Sequence, residues 1–590
     1  MRKFIAILLS VLLLASVPLS QEISDQLPTP IVRVNTRLVM VDVIVTDKDG
    51  KLISNLKPTD FTIEESGKKQ KIAVFSLQKA DRTPAPSAGN DIYSNRPQHT
   101  GPTTMLLIDA LNTPVQNQMY ARHLMLRWAA TQLQPGQRIA VYGLTNNLIR
   151  LQDFTSDPAE LRAAIEKFVP QSLPVTSSST PPATVSSALA TASGGRTDAA
   201  NMQVSARSLA SIRRFAQEET GYNLQMRIGN TLAALKALAN SVAGYPGRKN
   251  LVWVSASFPF SPLPEDTSPV TLFDRAADPT APPPRANEIG DAAIGSQISN
   301  SFNNDIRRTT TQLSDAQISV YPVDARGLFG SSLTDASSSG LNSAGLLMLS
   351  KDYGNAVSGT NQAIVASQNT MKDFARETGG RVFINRNDID NAIGIAAADG
   401  GAYYELGYYP DKKKFDGSFR RLKIAVAQPG LNVRHRSGYF AFDTAKTTPK
   451  ERESVLNSAI ASDAPASLVL FDAQVIPPAP AGKATVPVRF LVPTSSFTAE
   501  ETGGGKRHIN LDFFAVAFGA DGRTVANVGQ TVDATLEAGQ FAQVEQQGLL
   551  LPMDVSLAPG EYTLRLAVRD NRTGYVGTVN VPLTLAKPSS

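Results

Sequence analysis

The sequence predicts an α/β protein whose parallel sheet is flanked by all-β modules, and three observations carry that reading. Through the middle of the chain, strand-length segments such as the apolar run Met105–Ile108 alternate with helix-length stretches. A strand buried on both faces reads as a continuous apolar run, and strand–helix alternation implies a parallel sheet covered by helices. Before and after this middle, apolar and polar residues alternate with a period of two, as in strands with one solvated face. Turn signals such as Asp49-Gly50, Asp521-Gly522 and Ala558-Pro559-Gly560 punctuate those flanks.

A chain of 590 residues is expected to hold more than one domain, and a 42% hydrophobic content is enough for sizeable cores. The net charge of +5 is mild, and the Lys and Arg residues are scattered. That argues against a nucleic-acid partner. There is no cysteine, which excludes disulfides, thiolate metal sites, cysteine nucleophiles and a lipid-modified cysteine at a signal junction. Such a chain holds itself by core packing and suits a bacterial cell envelope.

Residues 1–20 read as a signal peptide. Arg2 and Lys3 precede the apolar stretch Ile5–Val17, and Ser20-Gln21 offers a cleavage region. The alternative is an uncleaved anchor, but the run is short for a span of about 20 residues. No later stretch is long and apolar enough to cross a membrane, so a secreted or periplasmic, cell-envelope protein with no membrane span in its mature form is expected.

Residues 30–78 form an N-terminal β-module, with Val39, Val41, Val43 and Val45 on one face and further strands at Phe61–Ile63 and Ile72–Phe75. Residues 79–102, rich in Pro, Ser and Asn, read as a linker. The α/β domain spans 103–400. Its buried strands are expected at Met105–Ile108, Arg138–Leu144, Asn250–Val254, Ile318–Val323 and Val382–Ile384, with an edge strand at Leu148–Phe154. Helices are expected over 115–133, 158–168, 223–243, 305–315, 370–378 and 388–398. Inserts at 170–222, 258–300 and 328–368 are rich in Ser, Gly, Pro, Thr, Ala and Asn, and loops that long are functional or disordered. A β-rich extension (401–442) carries Tyr403, Tyr404, Tyr408 and Tyr409, for which packing explains the pattern better than ligand stacking. A helical spacer (443–465) and a C-terminal β-sandwich of immunoglobulin-like or fibronectin-like type (466–587) follow.

Leu106-Leu107-Ile108-Asp109-Ala110-Leu111-Asn112-Thr113, then Pro246–Ser255, then Phe374–Phe383 resemble, in that order, the first strand and loop, central strand and last helix and strand of a von Willebrand factor type A domain. Val41-Asp42-Val43, Asp60-Phe61, Tyr403–Pro410 and Arg436–Phe440 extend the resemblance over 30–442 to the von Willebrand factor A-related proteins of acidobacteria. The resemblance implies a von Willebrand factor A-type (Rossmann-like) parallel-sheet domain and an adhesive, protein-binding role. It also implies a metal-ion-dependent adhesion site built from an Asp-x-Ser-x-Ser loop, a Thr and a further Asp, in which oxygen ligands hold Mg²⁺ or another divalent cation. Asp109 and Thr113 match the first loop, and Thr231 lies near the second-loop position. Leu111 and Ala256 stand where oxygen-bearing residues are expected, so the site is degenerate. Its metal candidates are Asp109, Thr113 and Thr231. The alternative is that Asp109 caps the following helix or bonds loop amides, with Thr113 as a cap. Asn112 and Asp324 are candidates for partner binding.

Asp109–Pro114 contains no glycine, which argues against a nucleotide site, and no Gly-x-Ser-x-Gly elbow occurs. His99, His123, His435 and His508 are isolated, against a zinc site. The sequence therefore points to a non-enzymatic protein-binding or adhesion module with a protein ligand. A structural or assembly scaffold of the envelope is the alternative, and a hydrolase is least supported. Ligand loops in a parallel α/β sheet sit at the carboxyl ends of strands, so the three inserts are expected to crown Asp109.

Overall fold

The computed structural model describes residues 38–79, 92–96, 103–133, 137–170, 222–259, 302–328, 351–399, 401–411, 415–442, 449–476 and 484–586. The signal peptide, most of the linker and nearly all of the first two inserts lie outside the described residues, as does 329–350 of the third.

Residues 38–96 supply strands β1 (Val39–Thr46), β2 (Phe61–Glu65), β3 (Lys68–Gln70), β4 (Ile72–Lys79) and β5 (Ile92–Ser94). The middle supplies β6 (Thr103–Asp109), β7 (Ile139–Leu144), β8 (Leu148–Thr155), β9 (Lys249–Ser255) and β10 (Ile318–Asp324). Next come β11 (Ala402–Tyr408), β12 (Phe419–Val426), β13 (Asn432–Arg434) and β14 (Gly438–Phe440). The C-terminal part holds β15 (Asp472–Val475), β16 (Ala484–Val492), β17 (Glu500–Gly503), β18 (Lys506–Gly519), β19 (Thr524–Leu536), β20 (Leu549–Leu557), β21 (Gly560–Asp570) and β22 (Val576–Leu585).

The strands before and after the middle interleave. One antiparallel sheet has the order β13-β1-β11-β4 and a second β14-β12-β2-β3. The valines of β1 share a core with Phe61, Ile63, Tyr404, Leu406, Tyr408, Leu422 and Ile424. The N-terminal module and the extension after the α/β part are thus one sandwich, whose two halves are separated in sequence by the central core. Tyr404 and Tyr408 pack inside it, while Tyr409 is exposed. Within its core, Glu65 accepts from Tyr408 Oη (2.6 Å) and Tyr439 Oη (3.0 Å) and pairs with Arg420 at 3.2 Å. Burial pushes the Tyr439 hydroxyl up to about 12. A second sandwich, at the C-terminus, stacks β20-β16-β15-β5 on β17-β18-β21-β22, with β19 on the other edge of β18. Here β5, from the stretch read as linker, pairs with β15.

The central sheet has the order β10-β9-β6-β7-β8. β10, β9, β6 and β7 are parallel, and β8 runs antiparallel to β7. β6, β7, β9 and β10 are buried along their full lengths, which is why the apolar runs were legible. Helices over 222–242 and 302–315 and the helix Lys351–Thr378 cover one face. The helices Val115–Thr131, Pro158–Lys167 and Ile389–Ala398 cover the other. The 351–378 helix begins inside the stretch read as the third insert.

These findings correct the expected fold class. Among the described residues the chain is mostly β, with four antiparallel sheets and one mixed sheet, and does not resolve into a von Willebrand factor A-type Rossmann-like fold with a purely parallel sheet. The sequence reading over-weighted the apolar middle, because local periodicity shows burial but not strand direction or the partners of distant strands. The expected fifth strand, Val382–Ile384, gives a single bridge, Phe383 to Val323. Gly379 and Asn385 take positive φ (75° and 53°) on either side of it and stop the pairing.

The amino end of the central sheet is joined to the first sandwich by buried polar groups. The Arg248 N–H donates to Tyr403 Oη at 2.9 Å, and Gln317 Nε2 donates to Asp42 Oδ1 (3.0 Å) and Glu405 Oε1 (3.1 Å). Gly380 is required here, because a Cβ would stand 1.9 Å from the Val320 carbonyl oxygen. Burial lowers the Lys249 ammonium from its ordinary 10.5 to about 8, against the pull of Asp42 and Glu405. Between those values the unfolded chain binds more protons than the folded one, so stability should rise with pH from about 8 to about 10.5. Lys249→Met is expected to flatten that rise. Thermal midpoints of both proteins across pH 7.5–10.5 test this, and parallel curves would refute it.

Candidate functional site

β6 ends at Asp109 and β9 at Ser255, side by side in the sheet. The 222–242 helix passes over both carboxyl ends. Four of the sequence-predicted residues meet here. Asp109 Oδ1 accepts from the Asn112 N–H at 2.8 Å. Asp109 Oδ2 accepts from Asn112 Nδ2 (3.0 Å), Trp253 Nε1 (3.0 Å) and Ser255 Oγ (2.8 Å). Asn112 Nδ2 also donates to Thr231 Oγ1 at 3.1 Å. Thr113 Oγ1 accepts from the Ala256 N–H at 3.0 Å. The following helix is instead preceded by Pro114, with no side-chain cap bond. Neither Asp109 nor Thr113 therefore caps it. Asp109 bonds a loop amide, its other alternative role, while Thr113, expected as a cap, instead accepts from the loop after β9.

Sequence reasoning missed Arg227. Its Nε donates to Asn112 Oδ1 at 3.0 Å and its Nη2 to Ser257 Oγ at 2.9 Å. Arg227 stands one helical turn before Thr231, on the same face, and that spacing was the available signal. Burial raises the Asp109 carboxyl above its ordinary range, opposed by hydrogen bonds from Asn112, Ser255 and Trp253. Burial lowers the Arg227 guanidinium, and the charge of Asp109 pulls it back up. The network thus carries its own cation.

Asp324 lies apart from this network, at the end of β10. It is buried and pairs with Arg326 at 2.8 Å through both carboxylate oxygens, and Gln368 Nε2 donates to it at 3.2 Å. It is an internally satisfied loop anchor, and neither it nor Asn112 presents a free group to a partner.

The donor set does not fit a divalent cation. Mg²⁺ needs oxygen ligands in near-ideal octahedral geometry. Both carboxylate oxygens of Asp109, the Asn112 amide oxygen and the hydroxyls of Thr113 and Thr231 already accept protein hydrogen bonds. Leu111 is buried and apolar, and Ala256 has no side-chain oxygen. The metal assignment of Asp109, Thr113 and Thr231 is replaced by a closed hydrogen-bond network with an arginine.

Among the described residues, several large apolar side chains are exposed on segments that begin or end near this network. Met119, Tyr222, Met226, Leu328 and Val365 are 60%, 61%, 40%, 60% and 55% exposed. Leu328 follows β10 and is tied by its N–H to Asn387 Oδ1, while Tyr120, beside Met119, donates to the Asn387 carbonyl at 3.0 Å. Val365 lies two residues from Ser367, whose hydroxyl reaches the Ala256 carbonyl. The fold and site define a β-rich, multi-module chain with a buried polar network at the carboxyl end of its central sheet.

No family model matches the sequence, and no curated protein matches it. Among solved structures, the three N-terminal domains of the type V pili tip protein Mfa5 from Porphyromonas gingivalis are similar at 9% identity and a TM-score of 0.20, covering 88% of this chain and 78% of that one. The pilus adhesin SpaC from Lactobacillus rhamnosus GG is similar at 8% identity and a TM-score of 0.23, with 86% of this chain and 57% of that chain covered. The chain therefore spans less than two thirds of the SpaC structure, and at these scores neither likeness carries an argument. No helix among the described residues is long and apolar enough to cross a membrane.

Proposed function

We propose that this chain is an exported, non-enzymatic binding module of the cell envelope that captures a protein ligand at the carboxyl end of its central sheet. The observation that carries this reading is the exposure of Met119, Tyr222, Met226, Leu328 and Val365 among the described residues, on segments that begin or end near the carboxyl end of the sheet. Exposed large apolar side chains gathered at one end of a domain mark interaction surfaces. On this reading capture needs no bridging metal. The Arg2-Lys3 start and the apolar run after it support export.

The test is affinity capture from envelope extract with wild type and with Met226→Asp/Leu328→Asp, the captured proteins being identified and their binding then measured with purified partner. Both changes are at exposed positions and should leave the fold intact. A partner whose affinity falls at least about tenfold for the variant supports the reading. Equal affinity would move the binding surface to a sandwich and favour the scaffold alternative.

A further inference from the structure

Among the described residues, the longest edge strand of the C-terminal sandwich is β19. β19 runs for 13 residues and, among the described residues, pairs with β18 alone. Every second residue of such a strand turns its N–H and C=O away from its neighbour. Native proteins blunt an edge of this kind with Lys, Pro or a bulge. β19 has no Lys, Arg or Pro, and its one register shift lies at its start, where Phe518 meets Thr524. The helix Ala538–Gln547 packs at the far end, where Glu537 pairs with Lys506 at 2.7 Å. Between these ends Asn527, Gly529, Gln530, Thr531 and Asp533 are exposed.

The strand reads nearly the same in both directions about Gln530. Antiparallel to itself, it sets Ala526 opposite Ala534, Val528 opposite Val532, Gly529 opposite Thr531 and Asn527 opposite Asp533. Small and branched apolar residues meet their own kind on the face toward the sandwich core. On the outer face an amide donor meets a carboxylate twice, and no like charges are opposed. Asp533 already accepts from His508 Nε2 (2.7 Å) and Asn510 Nδ2 (3.0 Å), but a carboxylate has about four acceptor positions and can take another donor.

We propose that β19 pairs with β19 of a second copy of this chain, antiparallel, about a two-fold axis through Gln530. The two sheets then become one continuous sheet across the dimer, and the edge is removed by closure.

The chain has no cysteine, so single cysteines report the geometry directly. Gln530→Cys places two thiols opposite each other at the axis, within disulfide reach. Val525→Cys, also exposed, places them about 30 Å apart. Full-length Gln530→Cys should cross-link under mild oxidation and Val525→Cys should not. In sedimentation, Asn527→Asp should weaken the dimer about tenfold by opposing two pairs of carboxylates, whereas Asn527→Lys should not weaken it. Unchanged hydrogen exchange along β18 confirms that the variants fold. A wild type that stays monomeric at high micromolar concentration, or equal cross-linking at both positions, overturns the proposal. So does an unaltered dimer in Asn527→Asp.

Discussion

Glu65→Ala is expected to destabilise the first sandwich by about 3–5 kcal/mol, the range for breaking a buried ion pair by removing one partner. Glu65 and Arg420 are 5% and 2% exposed and lie 3.2 Å apart. Two tyrosine hydroxyls also donate to the same carboxylate. Removing it takes the counter-charge from a buried guanidinium and the acceptor from two buried hydroxyls, and each buried group left unsatisfied costs about 1–3 kcal/mol. The double change Glu65→Leu/Arg420→Met should recover most of the loss, because replacing a whole buried pair with apolar groups is often neutral. Hydrogen exchange at β2 and β12 measures both effects. A double variant no better than Glu65→Ala would show that the cost lies in lost shape rather than stranded charge.

Asp109→Ala should cost about 3 kcal/mol or more, by leaving the Trp253 indole N–H, the Ser255 hydroxyl and two Asn112 donors without their acceptor. Arg227 would also lose its counter-charge. The chain has two tryptophans, and Trp253 bonds directly to Asp109, so its emission should shift with the substitution. Neither Mg²⁺ nor EDTA should move the unfolding midpoint of wild type. A midpoint that rises with Mg²⁺ and loses that rise in Asp109→Ala would restore a metal to the site.

Much of the site was legible. Asp109, Asn112, Thr113 and Thr231 were each picked out from sequence, and they meet. They were found through the resemblance to a von Willebrand factor A metal loop, whose pattern Asp109, Thr113 and Thr231 match in part. The chemistry was less legible. Arg227 is an ordinary surface-type residue until the helix turns it over the sheet, and Trp253 reads as core. Whether an oxygen is a ligand or an acceptor depends on donors that arrive from distant segments. The fold failed for the same reason. The alternation of Val39 to Val45 marks a strand with one buried face but says nothing about β11 or β13 as its neighbours. Three residues at Ile92–Ser94 are too short for any periodicity to register.

If the chain is exported as proposed, the interleaving of strands has a consequence for its transit. Ser76 and its partner Glu405 are 329 positions apart, and Ser94 and Phe471 are 377 apart. A chain threaded from its amino end delivers β1–β5 to the far side long before the strands that complete either sheet. Until then those segments wait as unmatched, apolar-faced ribbons, the species most prone to mispairing. Such distant pairings also fold slowly, since the loop must close before the contacts reward it. Maturation of this protein is therefore set by its last-arriving residues. A passenger-holding chaperone that covers β1–β4 during transit would raise its yield more than any improvement in the stability of the finished molecule.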